Sequence, residues 1–213
     1  MMNEVQDLYY EMESMDNTPT TESNGIRSGF DELLKQNEDV VGWITIDGTQ
    51  VDYPILHSSD NVEYLTENYY GNQSRAGSIF MDYRNDIMSS DLNTVIYGHR
   101  MKDGSMFQQL TKYLDEDFFE THQTFEYDTL YESYEAEIFA VYQTLTEFNY
   151  IETDFSSEEE YEELLAEIQS RSLFQTDIEV NADDQIITLS TCDYKLDADD
   201  GRLVVHAKLV KKS

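Results

Sequence analysis

Apolar residues recur along the chain at two different periods, and the change of period divides the sequence. Near the N-terminus Val5, Leu8, Tyr9 and Met12 stand at i, i+3, i+4 and i+7, which places them on one face of a short helix. A second helix is predicted from about Arg27 to Gln36, with Phe30, Leu33 and Leu34 on one side and Ser28 as a candidate cap. The polar stretch from Asn17 to Gly25 between them reads as a linker, so residues 1–25 form a helix and linker that precede a larger body at 26–213. The two helices look like an appendage to that body.

From Val40 onward the period shortens to that of strands. Runs at Gly42–Ile46, Val51–Ile55, Ser78–Met81 and Thr94–Tyr97 are separated by turn residues, and Asp47-Gly48 between the first two is a strong hairpin turn. Further strands are predicted at Thr124–Tyr127, Glu132–Thr146, Gln185–Thr191 and Arg202–Val210. About eight strands at this spacing make the chain mainly β, a closed barrel or a sandwich rather than alternating β-α units. Two helical insertions interrupt them. Met106, Phe107, Leu110, Tyr113 and Leu114 follow helical spacing, and Ser157 to Arg171 carries a stripe of Tyr161, Leu164, Leu165 and Ile168 behind a capping box of Ser157 and Glu160.

Composition narrows the classes of function. With a net charge of −32, the surface repels phosphate backbones and anionic lipid, which argues against nucleic-acid binding and electrostatic docking on membranes. Sixteen Tyr, ten Phe and 39% hydrophobic content supply enough apolar surface for a packed core, so the acidity does not signal disorder. A single cysteine, Cys192, excludes an internal disulfide and a Cys-rich zinc module. No apolar run approaches the roughly 20 residues of a membrane span, and the opening Met1-Met2-Asn3-Glu4 lacks the basic start of a signal peptide. Asp197-Ala198-Asp199-Asp200-Gly201 lacks the alternating oxygen ligands and distal Glu of a calcium loop. No metal and no cofactor are expected.

Cys192 ends the strand-like run from Gln185 to Thr191. Strict alternation puts Ile186, Thr188, Ser190 and Cys192 on one face and Ile187, Leu189 and Thr191 on the other, so the thiol shares its face with two hydroxyls: a wet face, or a site. Arg202 opens the next strand after a turn-rich segment, and a returning hairpin would bring its guanidinium beside the thiol, where it favours a thiolate and steadies an oxyanion. Of four histidines, His99 stands out because it follows Thr94-Val95-Ile96-Tyr97-Gly98 at a strand-to-loop edge. His206 lies mid-strand, His122 in an acidic helical region and His57 after a strand end. Spacing alone does not separate a catalytic cysteine from a buried thiol.

Three motifs in order add to that reading. Thr188-Leu189-Ser190-Thr191-Cys192 with Arg202-Leu203-Val204-Val205-His206-Ala207-Lys208-Leu209, and Tyr97-Gly98-His99-Arg100-Met101-Lys102-Asp103-Gly104-Ser105-Met106-Phe107, closely resemble the signatures of sortases in their class B form. Val41-Gly42-Trp43-Ile44, Asp52-Tyr53-Pro54-Ile55 and Gly77-Ser78-Ile79-Phe80-Met81-Asp82-Tyr83-Arg84 support the match, which spans roughly Phe30 to Lys212.

The resemblance implies an eight-stranded β-barrel with N-terminal helices and a helix between the sixth and seventh strands, residues 26–213 being the catalytic domain. It implies a cysteine transpeptidase that cleaves a C-terminal sorting motif of secreted proteins through a thioester and joins it to a peptidoglycan stem-peptide amine or, in a pilin-polymerising variant, to a pilin lysine. A plain cysteine peptidase and an acidic surface-binding module are the alternatives. Cys192 would be the nucleophile, His99 the acid and base and Arg202 the oxyanion donor, with Ser190, Thr191 and Tyr150 as substrate-groove residues. The implied location is the outer face of a Gram-positive cell membrane, held by an N-terminal anchor outside this chain.

Overall fold

The computed structural model describes residues 2–15, 25–89 and 91–212, so the linker read at Asn17–Gly25 lies outside the described residues except for Gly25. Eight strands close into a barrel: β1 (Val40–Thr45), β2 (Asp52–Leu56), β3 (Ile79–Met81), β4 (Asn93–Tyr97), β5 (Thr124–Thr129), β6 (Ser133–Leu145), β7 (Ile186–Cys192) and β8 (Gly201–Lys211). Their order around the wall is β1-β2-β3-β4-β7-β8-β6-β5, with β5 paired back to β1. Two neighbouring pairs, β2 with β3 and β4 with β7, run parallel, and the rest of the wall is antiparallel. The Asp47-Gly48 hairpin is present, with Gly48 at φ +70°, a value an L side chain rarely adopts.

Alternation decides which residues fill the barrel. Ile44, Ile55, Ile96, Val141, Leu189 and Val205 project inward from different strands into one buried cluster. A second cluster seats the N-terminal helices α1 (Met2–Met15) and α2 (Asp31–Gln36) on the wall: Val5, Tyr9, Phe30 and Leu33 close over Trp43. Tyr9 stacks on Trp43 with centroids 4.2 Å apart and donates to Asp128 at 2.7 Å. Such a stacked pair adds about 1 kcal/mol beyond its buried area, so these helices are built into the body rather than appended to it.

The stretch predicted as a helix from Arg27 to Gln36 is a 3-10 turn at Ser28–Phe30 leading into α2, and the residue ahead of it is Arg27 without a side-chain cap, not Ser28. The insertion at Phe107–Leu114 is also a 3-10 helix, and α4 (Glu116–Thr121) follows it, capped by Asp115 on the Phe118 N–H. A further short helix, α3 (Glu63–Thr66), lies between β2 and β3. The helix α5 (Glu158–Arg171) sits between β6 and β7 as expected. Ser157 Oγ accepts from Glu160 N at 3.2 Å, while the Glu160 carboxylate reaches Ser156 N at 2.8 Å, a capping box displaced by one residue on its return arm.

Beneath α5 the β7 face divides: Thr188 lies in a dry polar layer, while Ser190 and Cys192 face a surface cleft, the site alternative of the sequence reading. Tyr161, Leu165 and Ile168 of α5 pack in one cluster with Phe139, Ile186 and Val204 on the face that carries Thr188; Thr188 and Ser190 are both buried, Ser190 against the Tyr150 hydroxyl. A hydrogen-bonded chain satisfies Thr188. Thr188 donates to Asn93 Oδ1 at 2.6 Å, so it accepts from His206 Nδ1 at 2.8 Å, and His206 Nε2 then accepts from the Tyr142 hydroxyl at 2.7 Å. His206 is therefore a neutral structural histidine. Burial lowers its pKa from 6.5 to about 3.

That shift predicts an acid sensitivity. Between pH 6.5 and 3 the unfolded chain binds a proton at His206 that the folded chain refuses, so this contribution is complete above pH 6.5 and lost as pH falls. The unfolding free-energy difference between wild type and His206→Gln should shrink by roughly 1 kcal/mol per pH unit in that window. Urea titrations at pH 7, 5.5 and 4.5 measure it, and a constant difference would contradict the assignment.

Candidate active site

Two strand registers assemble the site. In the antiparallel pair β7 and β8, Cys192 stands directly opposite Arg202, a placement that brings Cβ atoms to about 4.5–5.5 Å. In the parallel pair β4 and β7, Tyr97 aligns with Ser190, so His99 and Cys192, each two residues further on, leave the barrel at the same level on adjacent strands. The returning hairpin read in the sequence is thus present, and the strand-edge position of His99 brings it to the same rim.

The β7-β8 turn is tight. Asp193 N donates to Gly201 O at 2.8 Å, and a Cβ on Gly201 would stand 2.2 Å from the Asp193 carbonyl oxygen. Asp193, fully buried, accepts from Arg100 Nη1 at 2.6 Å, from Lys195 N at 3.1 Å and from Gln143. Burial alone would raise its carboxyl, and the hydrogen bonds from Gln143, Lys195 and Arg100 outweigh that and hold it lowered. Arg100 also donates to Cys192 O at 3.4 Å. The residues next to His99 and Cys192 in sequence therefore tie the two strand ends together.

His99 is oriented by backbone rather than by a carboxylate. A carbonyl oxygen only accepts, so His99 Nε2 donates to Leu65 O at 2.7 Å, and in the neutral ring Nδ1 is the basic nitrogen. The segment that follows is anchored by Phe107 N on His99 O at 3.0 Å. Met106, the preceding residue, sits at φ +56°, a strained position for a side chain this long, and its N–H is held by the Tyr53 hydroxyl at 3.2 Å.

Cys192, half-buried, opens with His99 and Arg202 into a cleft of about 340 Å³. Its walls come from Asn61 of the β2-β3 loop, Leu65 of α3, Tyr97, Thr146, the Phe148–Ile151 segment, Ser190 and Thr191. No carboxylate among the described residues lines it, although the chain carries 45 acidic residues. Arg202 forms no ion pair among the described residues; its Nη1 donates to Asp199 O at 3.0 Å and Gly201 O at 2.9 Å, which fixes the guanidinium without neutralising it.

All six site residues named from the sequence line this cleft, with different duties. Tyr150 is buried, and its hydroxyl meets Ser190 Oγ at 2.8 Å. Thr191 spends its hydroxyl on Gly98 O at 2.7 Å, bracing the residue before His99. The sequence reading missed Asn61, Leu65, Arg100 and Asp193. For the last two, adjacency to His99 and Cys192 was an available signal, whereas Asn61 and Leu65, in the β2-β3 loop and the short helix α3, carry no motif. It also missed Tyr194, whose phenol is raised first by burial and then by the charge of neighbouring Cys192 and a hydrogen bond donated to it.

No helix among the described residues is long and apolar enough to cross a membrane, and no group of three or more His, Cys, Asp or Glu among them is arranged to hold a metal ion. A family model for the sortase domain matches residues 44–210. Sortase B of Listeria monocytogenes is 51% identical over 194 residues, covering 91% of this chain and 79% of that protein. The structure of B. anthracis sortase B in complex with AAEK1 superposes with a TM-score of 0.87 at 54% identity, covering 99% of this chain and 95% of the other. A sortase B structure complexed with triglycine gives 0.91 at 36% identity, with coverage of 100% and 96%. By the matched domain and these relatives, the chain belongs to the sortase family, in class B, and is a cysteine transpeptidase.

Proposed function

We propose that Cys192, His99 and Arg202 carry the transpeptidation, acting on the C-terminal sorting motif of a secreted protein at the outer face of a Gram-positive cell membrane. The observation that carries this reading is that the chain's single thiol shares one cleft with a histidine and a guanidinium, and that among the described residues no carboxylate lines the cleft or pairs with that guanidinium. A cysteine transpeptidase with one cysteine has no other thiol to use. With the proton on His99, the Cys192 thiolate adds to the scissile carbonyl carbon, and Arg202 donates to the oxyanion. The C–N bond breaks as His99 Nδ1 gives its proton to the departing amine, leaving a thioester and a neutral imidazole. An acceptor amine adds to the thioester and gives a proton to His99, and the thiolate leaves.

Tyr150, Ser190 and Thr191 are proposed as groove residues, since they line the same cleft. A cleft without carboxylates suits a neutral peptide backbone, and the acidic exterior favours a cationic amine acceptor on approach. The relative solved with triglycine supports a peptidyl amine in that role. We assign the acceptor to a peptidoglycan stem-peptide amine. Incubation with a fluorogenic pentapeptide library, with and without triglycine, tests this. A ligated product that depends on the amine is the expected result. Cleavage indifferent to the amine would instead indicate a peptidase, and no reaction at all a binding module.

A further inference from the structure

We infer that Asp82 is a positioning residue for the substrate cleft, one buried carboxylate that holds together three separate pieces of its wall. This deepens the transpeptidase reading above and rests on it. Asp82 is fully buried just after β3. Its Oδ1 accepts from Arg84 Nε at 2.8 Å and Arg84 N at 3.0 Å; its Oδ2 accepts from Arg84 Nη2 at 3.0 Å, Asn61 Nδ2 at 3.0 Å and the Tyr97 hydroxyl at 2.8 Å. Arg84 Nη2 in turn donates to the carbonyl of Ile151 at 2.7 Å.

Asn61, Tyr97 and Ile151 each line the cleft, and they arrive from the β2-β3 loop, from β4 and from the segment after β6. Asp82 does not line it. Every group aimed at the carboxylate is a donor, so only an acceptor with both oxygens free serves all of them. A buried ion pair contributes little net stability because desolvation offsets its attraction, which makes geometry the better account of why one stands here. Burial alone would raise the Asp82 carboxyl, and hydrogen bonds from Arg84 and Tyr97 overcome that to keep it ionised.

Asp82→Asn turns an amide N–H₂ toward donors and releases the wall without touching Cys192 or His99. On the pentapeptide the library selects, KM should rise about tenfold or more, as expected for losing hydrogen bonds to a charged group. Turnover at saturation, and the rate at which iodoacetamide alkylates Cys192, should stay within about twofold of wild type. Arg84→Met, which leaves the carboxylate but removes the guanidinium from it and from the Ile151 carbonyl, should raise KM in the same direction, and the double variant should fall short of additivity. If Asp82→Asn fails to fold, Arg84→Met and Asn61→Ala decide. Folded variants with unchanged KM, or with kcat and alkylation falling while KM holds, would overturn the inference. Wild type that does not cleave any peptide would instead overturn the transpeptidase reading.

Discussion

Replacing Cys192 with alanine should remove transpeptidation, and any hydrolysis of the thioester by water, by about 10⁴-fold or more, because no second thiol exists to take over. The fold should survive. Cys192 is only half-buried at the end of β7, and the neighbouring backbone is held by contacts that do not involve the sulfur: Asp193 on Arg100 and Gln143, and Thr191 on Gly98. His99→Ala should cost nearly as much, since the leaving amine then lacks its proton source. The double variant should be no worse than Cys192→Ala alone, the non-additivity of residues that act as one unit. Steady-state rates with circular dichroism on each variant check this, and measurable turnover by Cys192→Ala would remove the proposed nucleophile.

Arg202→Lys is the second change with a large effect. It keeps the charge, yet kcat/KM should fall about 10²- to 10³-fold, the usual loss when an oxyanion donor goes. A lysine ammonium is a flexible point charge, whereas the guanidinium lines the cleft with one nitrogen anchored on the Asp199 and Gly201 carbonyls and keeps further N–H donors in a planar fork. The nearby Arg100 does not substitute, because Asp193 already claims it. Peptide kinetics on the folded variant measure the loss, and full turnover would contradict the role given to Arg202.

Much of this site was legible in the order of residues alone. Strand alternation and the Asp47-Gly48 turn depend on neighbours in sequence, and so does the hairpin that sets Arg202 opposite Cys192. His99 was found because a strand ending in glycine marks a loop edge. Features made by distant segments were not legible. The pairing of β4 with β7 joins residues more than ninety positions apart, and nothing local announces it. The face carrying Thr188 and Ser190 left two readings open, a wet face or a site, because the groups packed around it, α5 and Tyr150, come from elsewhere in the chain. At Phe107–Leu114 the apolar spacing suits an α-helix and a 3-10 helix alike, and the anchoring of Phe107 on His99 O favours the tighter form. Asp82 sat within a recognisable motif, but its partners Asn61, Tyr97 and Arg84 are read together only in three dimensions.

The covalent intermediate offers the most direct test of the central claim. Wild-type protein mixed with the selected peptide, without amine, and quenched in acid within a turnover should gain the mass of the peptide's acyl portion. That adduct should map to the fragment containing Cys192, be released by hydroxylamine, and disappear when triglycine is added before the quench. Turnover with no adduct, or an adduct carried by any residue other than Cys192, would contradict the account.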